Sequence, residues 1–357
     1  MDSKQVLISG YYGFDNFGDD AILQVIVSNL KKSKLRTKIT AISNNPLKIK
    51  INYHIDSVYT FNFTEIIEKL KKCDLFISGG GSLLQNATST KSLLYYLILI
   101  LLAKLLGKKV FVYAQGVGPV NGFIQRFLTC TVLKTVNQIT VRDEDSLNLL
   151  EGWGLKAIKT SDPVWNLDLN QKPNHDDNKI KVGIQLREWQ TLDDNKLKIL
   201  AEAVKTHFNP EKYAIIIIPL QEDKDYTVCR KLKIILQDEF GYDNAEIASS
   251  DNISGKLKIL NSLDFLIGMR FHACLITIKA GIPTLALSYD PKVKSLAVDS
   301  CCPYINIEDL DKNILIEKFS ELEDKAVEFS EKLTVFSNQK ALVARQTDDL
   351  LIKLLLE

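Results

Sequence analysis

The sequence predicts an α/β protein: two Rossmann-like, doubly wound domains facing a cleft, with helices at the C-terminal end. Three observations predict it. Short apolar runs alternate with stretches of helical periodicity through most of the chain, the pattern of mainly parallel sheets covered by helices. A polar segment at 166–179, holding Pro173-Asn174-His175-Asp176-Asp177-Asn178, interrupts that series once, and a second series follows it. The length, 357 residues, suits two domains of roughly 150 residues each.

The first series begins with a strand at 5–9, which feeds a Gly-rich loop at 10–18. A helix over 19–32 follows, with Ala21, Ile22, Val25, Ile26 and Leu30 at helical spacing. Apolar runs place further strands at 38–43, 57–62, 74–78, 109–114 and 138–142. Helices fill 64–72, 91–106, 123–135 and 143–151. The second series gives strands at 181–186, 213–220, 245–248, 264–267 and 284–288. Its helices fall at 193–207, 224–239, 253–260 and 271–280, and 311–356 reads as helical throughout. The expected organisation is an N-terminal domain at 1–167, a linker at 168–179, a C-terminal domain at 180–335, and a helix at 336–357 that packs back on the N-terminal domain.

The helix at 91–106 is apolar enough to need a membrane test. A spanning helix needs about 20 apolar residues, and Lys104 arrives too soon. It reads as a buried domain helix capped by Gly107. The alternative is a helix resting at the bilayer interface, with Tyr95, Tyr96 and the lysines at its edges.

Composition excludes several classes. The chain is 46% hydrophobic and 25% charged with a formal net charge of +1, and no basic block marks a nucleic-acid arm. None of the six cysteines forms a C-x-x-C or has zinc-site spacing, so no metal site is expected. They read as mostly buried thiols of a reducing compartment. With no signal-peptide pattern at the start, the expected location is cytoplasmic, with peripheral contact at the inner face of the membrane open.

Chemistry concentrates at strand-to-helix junctions, the edge where open α/β sheets bind ligands. Gly268-Met269-Arg270-Phe271-His272 and Ser288-Tyr289-Asp290-Pro291-Lys292 bring two cations and a histidine to one rim, where helix N-termini add N–H groups. Such a rim suits a small, multiply charged anion. Asp290-Pro291 reads as an N-cap and N1 pair. Lys292 then sits in a first helical turn, where the helix dipole disfavours a cation, and this points to ligand duty.

The loop Gly10–Asp20 fits neither G-x-G-x-x-G nor a P-loop. Asp19 there is either an N-cap or a general base toward a sugar hydroxyl. In Ser78-Gly79-Gly80-Gly81-Ser82-Leu83-Leu84-Gln85-Asn86, the glycines imply a close approach by a ligand or by another chain segment. Ser82, Gln85 and Asn86 can bind hydroxyl-rich ligands, as can Gln115 at the end of another strand. Arg142 is either bridged to a local acid or set to grip a carboxylate or phosphate with two prongs. Asp143 reads as the cap of the next helix.

Together these loops resemble the polysaccharide pyruvyl transferase family. The carrying residues are G-Y-Y-G-F-D-N-F-G-D-D-A-I-L (10–23), S-G-G-G-S-L-L-Q (78–85), Y-A-Q-G-V-G-P (113–119), V-R-D (141–143), G-M-R-F-H-A (268–273) and S-Y-D-P-K-V (288–293). Relatives acting on a secondary cell-wall polymer often read G-D-E where this chain has Gly18-Asp19-Asp20. The resemblance implies a GT-B-like fold, phosphoenolpyruvate as co-substrate with no cofactor, and a 4,6-linked pyruvate ketal as product. It implies N-acetylmannosamine in a lipid-diphosphate-linked saccharide as acceptor, and a product of the kind S-layer homology domains bind.

On that reading Arg142, Arg270, His272 and Lys292 hold phosphoenolpyruvate. His272 is the candidate proton donor, Asp19 the candidate base, and Arg270 a catalytic anion contact. The acceptor-side candidates are Gly13, Asn16, Asp19, Gly80, Gly81, Ser82, Gln85 and Gln115. Two other readings stand beside it: a nucleotide-sugar glycosyltransferase of the same fold, and a non-catalytic module that binds a lipid-linked saccharide.

Overall fold

The structure is a computed structural model that describes residues 3–169 and 179–357. The chain divides into two compact units, Met1–Leu167 with Lys340–Glu357, and Asp168–Gln339. Most of the expected linker at 168–179 lies outside the described residues.

The first unit runs β1 (Lys4–Ser9), α1 (Phe17–Lys32), β2 (Thr37–Ser43), α2 (Pro46–Tyr53), β3 (Asp56–Tyr59), α3 (Phe63–Lys72), β4 (Leu75–Ser78), β5 (Gly81–Leu84), α4 (Thr90–Leu105), β6 (Lys109–Val117), α5 (Phe123–Leu133), β7 (Gln138–Val141), α6 (Glu144–Gly152) and β8 (Ile158–Lys159). Its sheet has the order β3-β2-β1-β4-β6-β7-β8, parallel throughout, with β5 added on β6. The strands read as near-continuous apolar runs because helices cover both faces. Leu7, Phe76, Val112 and Val141 are central to the core.

Two expectations change here. The strand expected at 57–62 stops at Tyr59, and α2 occupies a stretch to which the sequence reading assigns no element. Asn45 caps α2 by accepting from Lys48 N, and Pro46 takes its first turn. Helix α4 buries Leu93, Tyr96, Leu97, Leu99, Ile100 and Ala103, and Gly107 beyond its end has a left-handed φ of 70°. It is a domain helix, and among the described residues no helix is long and apolar enough to cross a membrane.

The second unit runs β9 (Ile180–Gln185), α7 (Asp194–His207), β10 (Tyr213–Ile217), α8 (Glu222–Ile234), β11 (Ala245–Ile247), α9 (Ile253–Asn261), β12 (Phe265–Gly268), α10 (Phe271–Lys279), β13 (Thr284–Ser288), α11 (Pro291–Asp299), β14 (Tyr304–Asn306) and α12 (Lys312–Asp324). Its parallel sheet has the order β11-β10-β9-β12-β13-β14. Val182, Ile184, Ile217, Ile267, Leu285 and Phe319 anchor its core.

Helix α13 (Ala326–Leu356) ends the chain, and its last residues, from Lys340, belong to the first unit. There Asp348 is half-buried and accepts from the Tyr113 hydroxyl and from Asn166 Nδ2, while Thr347 donates to Thr160.

Candidate active site

In the first unit, β1, β4, β6 and β7 present Ser9, Ser78, Gln115 and Arg142 at their carboxyl ends. The β1–α1 loop folds over them. Asn16, not Asp19, caps α1, its side chain accepting from Gly18 N at 3.2 Å. Asp19 therefore lies within the first turn and is buried.

The three glycines that follow β4 make room for this segment. A Cβ at Gly79 would lie 2.2 Å from the Tyr12 hydroxyl, one at Gly80 2.9 Å from Ile22, and one at Gly81 2.6 Å from Asp19 Oδ1. The close approach that the glycines imply is made by another chain segment. Gly81 also needs its φ of +97°, which few other residues adopt. Gly13 has φ +77° and packs against Ser43 and Asn45 in the same way.

Burial and, after it, the Asp20 carboxylate push Asp19 up to about 8, while Arg142 pulls it down. Its resting form at neutral pH is the acid. Arg142 donates to Asp162 Oδ2 at 2.7 Å and to Ser82 Oγ at 3.0 Å, and its side chain is nearly buried. Of the two readings of Arg142, a bridge to an acid is present, though the acid lies 20 residues on. Asp143 caps α6 as expected, accepting from Ser146 N.

Gln115 Nε2 donates to Ser78 Oγ and to the Gly79 carbonyl. Its buried Oε1, like Ser9 Oγ and Tyr12 Oη, has no hydrogen-bond partner among the described residues. Buried polar atoms of this kind usually find partners, so three at one sheet edge mark polar capacity in reserve. Gln85 lies beyond β5 and donates to Thr88.

In the second unit, β9, β12 and β13 are neighbours in register, with Gln185, Gly268 and Ala286 side by side. The next residues of each strand form the rim. Arg270 caps α10 with its backbone, and its N–H donates to Gln185 Oε1 at 2.7 Å. Its guanidinium makes two bonds to Asp225, Nε to Oδ2 at 2.8 Å and Nη2 to Oδ1 at 2.5 Å, and a third to Gln221. One edge of the guanidinium is thus committed to the buried Asp225. Nη1 makes none of these bonds. His272 stands in the first turn of α10, half-buried against Phe271. Lys292 is exposed in the first turn of α11, and Asp290 caps that helix by accepting from Lys292 N at 2.8 Å.

Sequence reasoning missed Arg187. It follows β9 and donates to the Tyr289 hydroxyl at 2.9 Å. Its guanidinium lies 4.9 Å from the Tyr289 ring centroid and 5.3 Å from that of Trp189. Its buried Nε has no hydrogen-bond partner among the described residues. The signal was present: Arg187 ends an apolar strand just as Arg142 and Arg270 do. Asp225 and Asp162 were missed because one sits in the acidic run Glu222–Asp225 and the other before Pro163, and both look like ordinary caps.

The structure thus gathers Asn16, Asp19, Gly80, Gly81, Ser82, Gln115 and Arg142 in the first unit, and Arg187, Arg270, His272 and Lys292 in the second. Arg142 belongs to a different unit from the three other cationic candidates expected around phosphoenolpyruvate.

Two Rossmann-like units with polar and cationic strand ends define a GT-B-like α/β protein. Solved structures agree on that fold. The UDP-GlcNAc 2-epimerase from Neisseria meningitidis bound to UDP-GlcNAc is similar over 99% of both chains, with a TM-score of 0.67 and 14% identity. Anabaena HepE in complex with UDP and glucose is similar over 98% of both chains, with a TM-score of 0.63 and 9% identity. At such identities the likeness speaks for the fold alone. No curated protein sequence matches the chain. The chain belongs to the polysaccharide pyruvyl transferase family, whose model matches residues 16–291. Membership places it among enzymes that transfer a pyruvyl group to a saccharide.

Proposed function

We propose that the chain is a ketal pyruvyltransferase that uses phosphoenolpyruvate and releases phosphate. The acceptor is a sugar with 4- and 6-hydroxyls, N-acetylmannosamine in a lipid-diphosphate-linked precursor of a secondary cell-wall polymer. The observation that carries this reading is the rim of the second unit, where adjacent strands end in Arg187, Arg270 with His272, and Lys292. Phosphoenolpyruvate carries a carboxylate and a phosphate, and anions of that density call for several fixed cations. Neutral sugars do not. The first unit offers amides and hydroxyls, chiefly Gln115, Ser82 and Asn16, which suit a polyhydroxylated acceptor.

C3 of the enol gains a proton and C2 becomes electrophilic. One sugar hydroxyl adds at C2, the C2–O bond to phosphate breaks, and the second hydroxyl closes the ring. Of the two hydroxyl protons, one replaces the proton given to C3 and the other leaves with phosphate. Fixed cations stabilise the departing phosphate. His272 is the donor to C3. Asp19 is the base toward the hydroxyl, and a carboxyl near 8 is a stronger base than an ordinary carboxylate once ionised. Arg142 positions Asp19 through its field and holds Ser82. Arg270 presents Nη1 to the donor, and Arg187 supplies a second guanidinium.

The test is incubation of the protein with phosphoenolpyruvate and a lipid-diphosphate disaccharide ending in N-acetylmannosamine. Phosphate release with a mass gain of one pyruvate ketal on the acceptor supports the reading. Turnover of a nucleotide sugar instead, with phosphoenolpyruvate inert, overturns it.

A further inference from the structure

A surface helix of a soluble domain ordinarily turns its large apolar side chains inward. Helix α5 does so on one face, where Thr129, Val132 and Leu133 are buried. Its opposite face carries Phe123, Ile124, Phe127 and Leu128, and the first three are 84%, 66% and 60% exposed. Their spacing puts them on one stripe. Helix α4 packs against α5 and carries exposed Ile98, Leu101 and Leu105. Exposed apolar surface on this scale marks a partner or a membrane.

Charge separates those two. From residue 75 to residue 142 the chain has no Asp or Glu and seven Lys or Arg, although the whole chain holds 45 basic and 44 acidic residues. Among these cations Lys91, Arg126 and Lys134 are exposed on or beside α4 and α5. Aromatic and aliphatic side chains on two helices drawn from an acid-free, basic stretch of sequence match a bilayer, whose acyl boundary lies beneath anionic headgroups.

We propose that the α4–α5 face of the first unit docks on the surface of an anionic lipid bilayer. Phe123, Ile124 and Phe127 enter the acyl boundary, and the neighbouring cations stay at headgroup level. This placement stands apart from the proposed reaction and is read without any substrate.

The experiment is flotation of the full chain with vesicles of phosphatidylcholine alone and with phosphatidylglycerol added. The same is done for the variant F123E/F127E, with oligomeric state followed by analytical ultracentrifugation. Both sites are exposed, so the variant is expected to keep the parent's melting temperature. The expected result is binding to phosphatidylglycerol vesicles that weakens with salt and falls at least tenfold in the variant. A helical gain by α5 is not required. No vesicle binding, or equal binding by parent and variant, overturns the proposal. So does a dimer that the variant disperses in the absence of vesicle binding, which would make this face a contact between two copies.

Discussion

Arg270 and Asp225 meet fork to fork in the second unit, and the Asp225 carboxylate also accepts from Leu220 N and Gln221 N. The acid is fully buried and the guanidinium nearly so. This pair fixes one edge of the arginine, so a fully buried acid sets the position of a guanidinium at the rim.

Removing one partner of such a pair leaves the other charged in a dry place. Asp225→Ala is expected to cost about 3–5 kcal/mol of stability, read by urea unfolding. Arg270→Lys keeps the charge and loses the fork. It should fold, with phosphoenolpyruvate turnover strongly reduced, and full activity would remove Arg270 from the site.

Arg187 is held by Tyr289 and the Trp189 ring before any ligand arrives. Arg187→Ala should raise the KM for phosphoenolpyruvate by ~10- to 100-fold, the worth of one or two charge-assisted hydrogen bonds. The KM for the acceptor should move little. A change in the acceptor KM alone would place Arg187 elsewhere.

Asp19 gives two pH effects of known sign. As a base it must be ionised, so the rate should climb as pH passes about 8 and lose that limb in Asp19→Asn, together with most activity. For stability the sign is opposite. The folded carboxyl holds its proton above the ordinary value of 3.8, so its contribution is fully present at acid pH and is lost as pH rises toward about 8. The melting temperature of Asp19→Asn, relative to the parent, should therefore increase across that window. A constant difference would contradict the raised value.

Gly81→Ala tests the packing of the glycine run. The methyl group would meet Asp19 at a backbone angle that alanine adopts at a cost, so destabilisation of about 1–3 kcal/mol is expected, with activity lost beyond it. Unchanged thermal unfolding would show that the loop relaxes freely.

Much of the fold was legible because each strand of a two-sided parallel sheet is an apolar run and most helices begin at an Asn, Asp or Ser cap. Where the reading slipped, two local patterns competed. Leu47-Lys48-Ile49-Lys50-Ile51 alternates like a strand, yet Asn45 and Pro46 start a helix there. The glycine run after β4 left open whether a ligand or another chain segment comes close, and the segment that does carries Tyr12, Ile22 and Asp19. The candidate residues stand out one by one in the sequence, but their pairings do not. Nothing in the sequence says that Arg270 is bound to residue 225 or Arg142 to residue 162, because those partners come together only through topology.

The return of α13 to the first unit has a consequence for synthesis. Tyr113 and Asn166 emerge from the ribosome long before Asp348, the carboxylate that receives their hydrogens. Throughout translation of the second unit the first lacks its closing helix, and Tyr113, Asn166 and Thr160 lack these partners. A stop codon at residue 340 would therefore leave the second unit whole and the first without its closing helix.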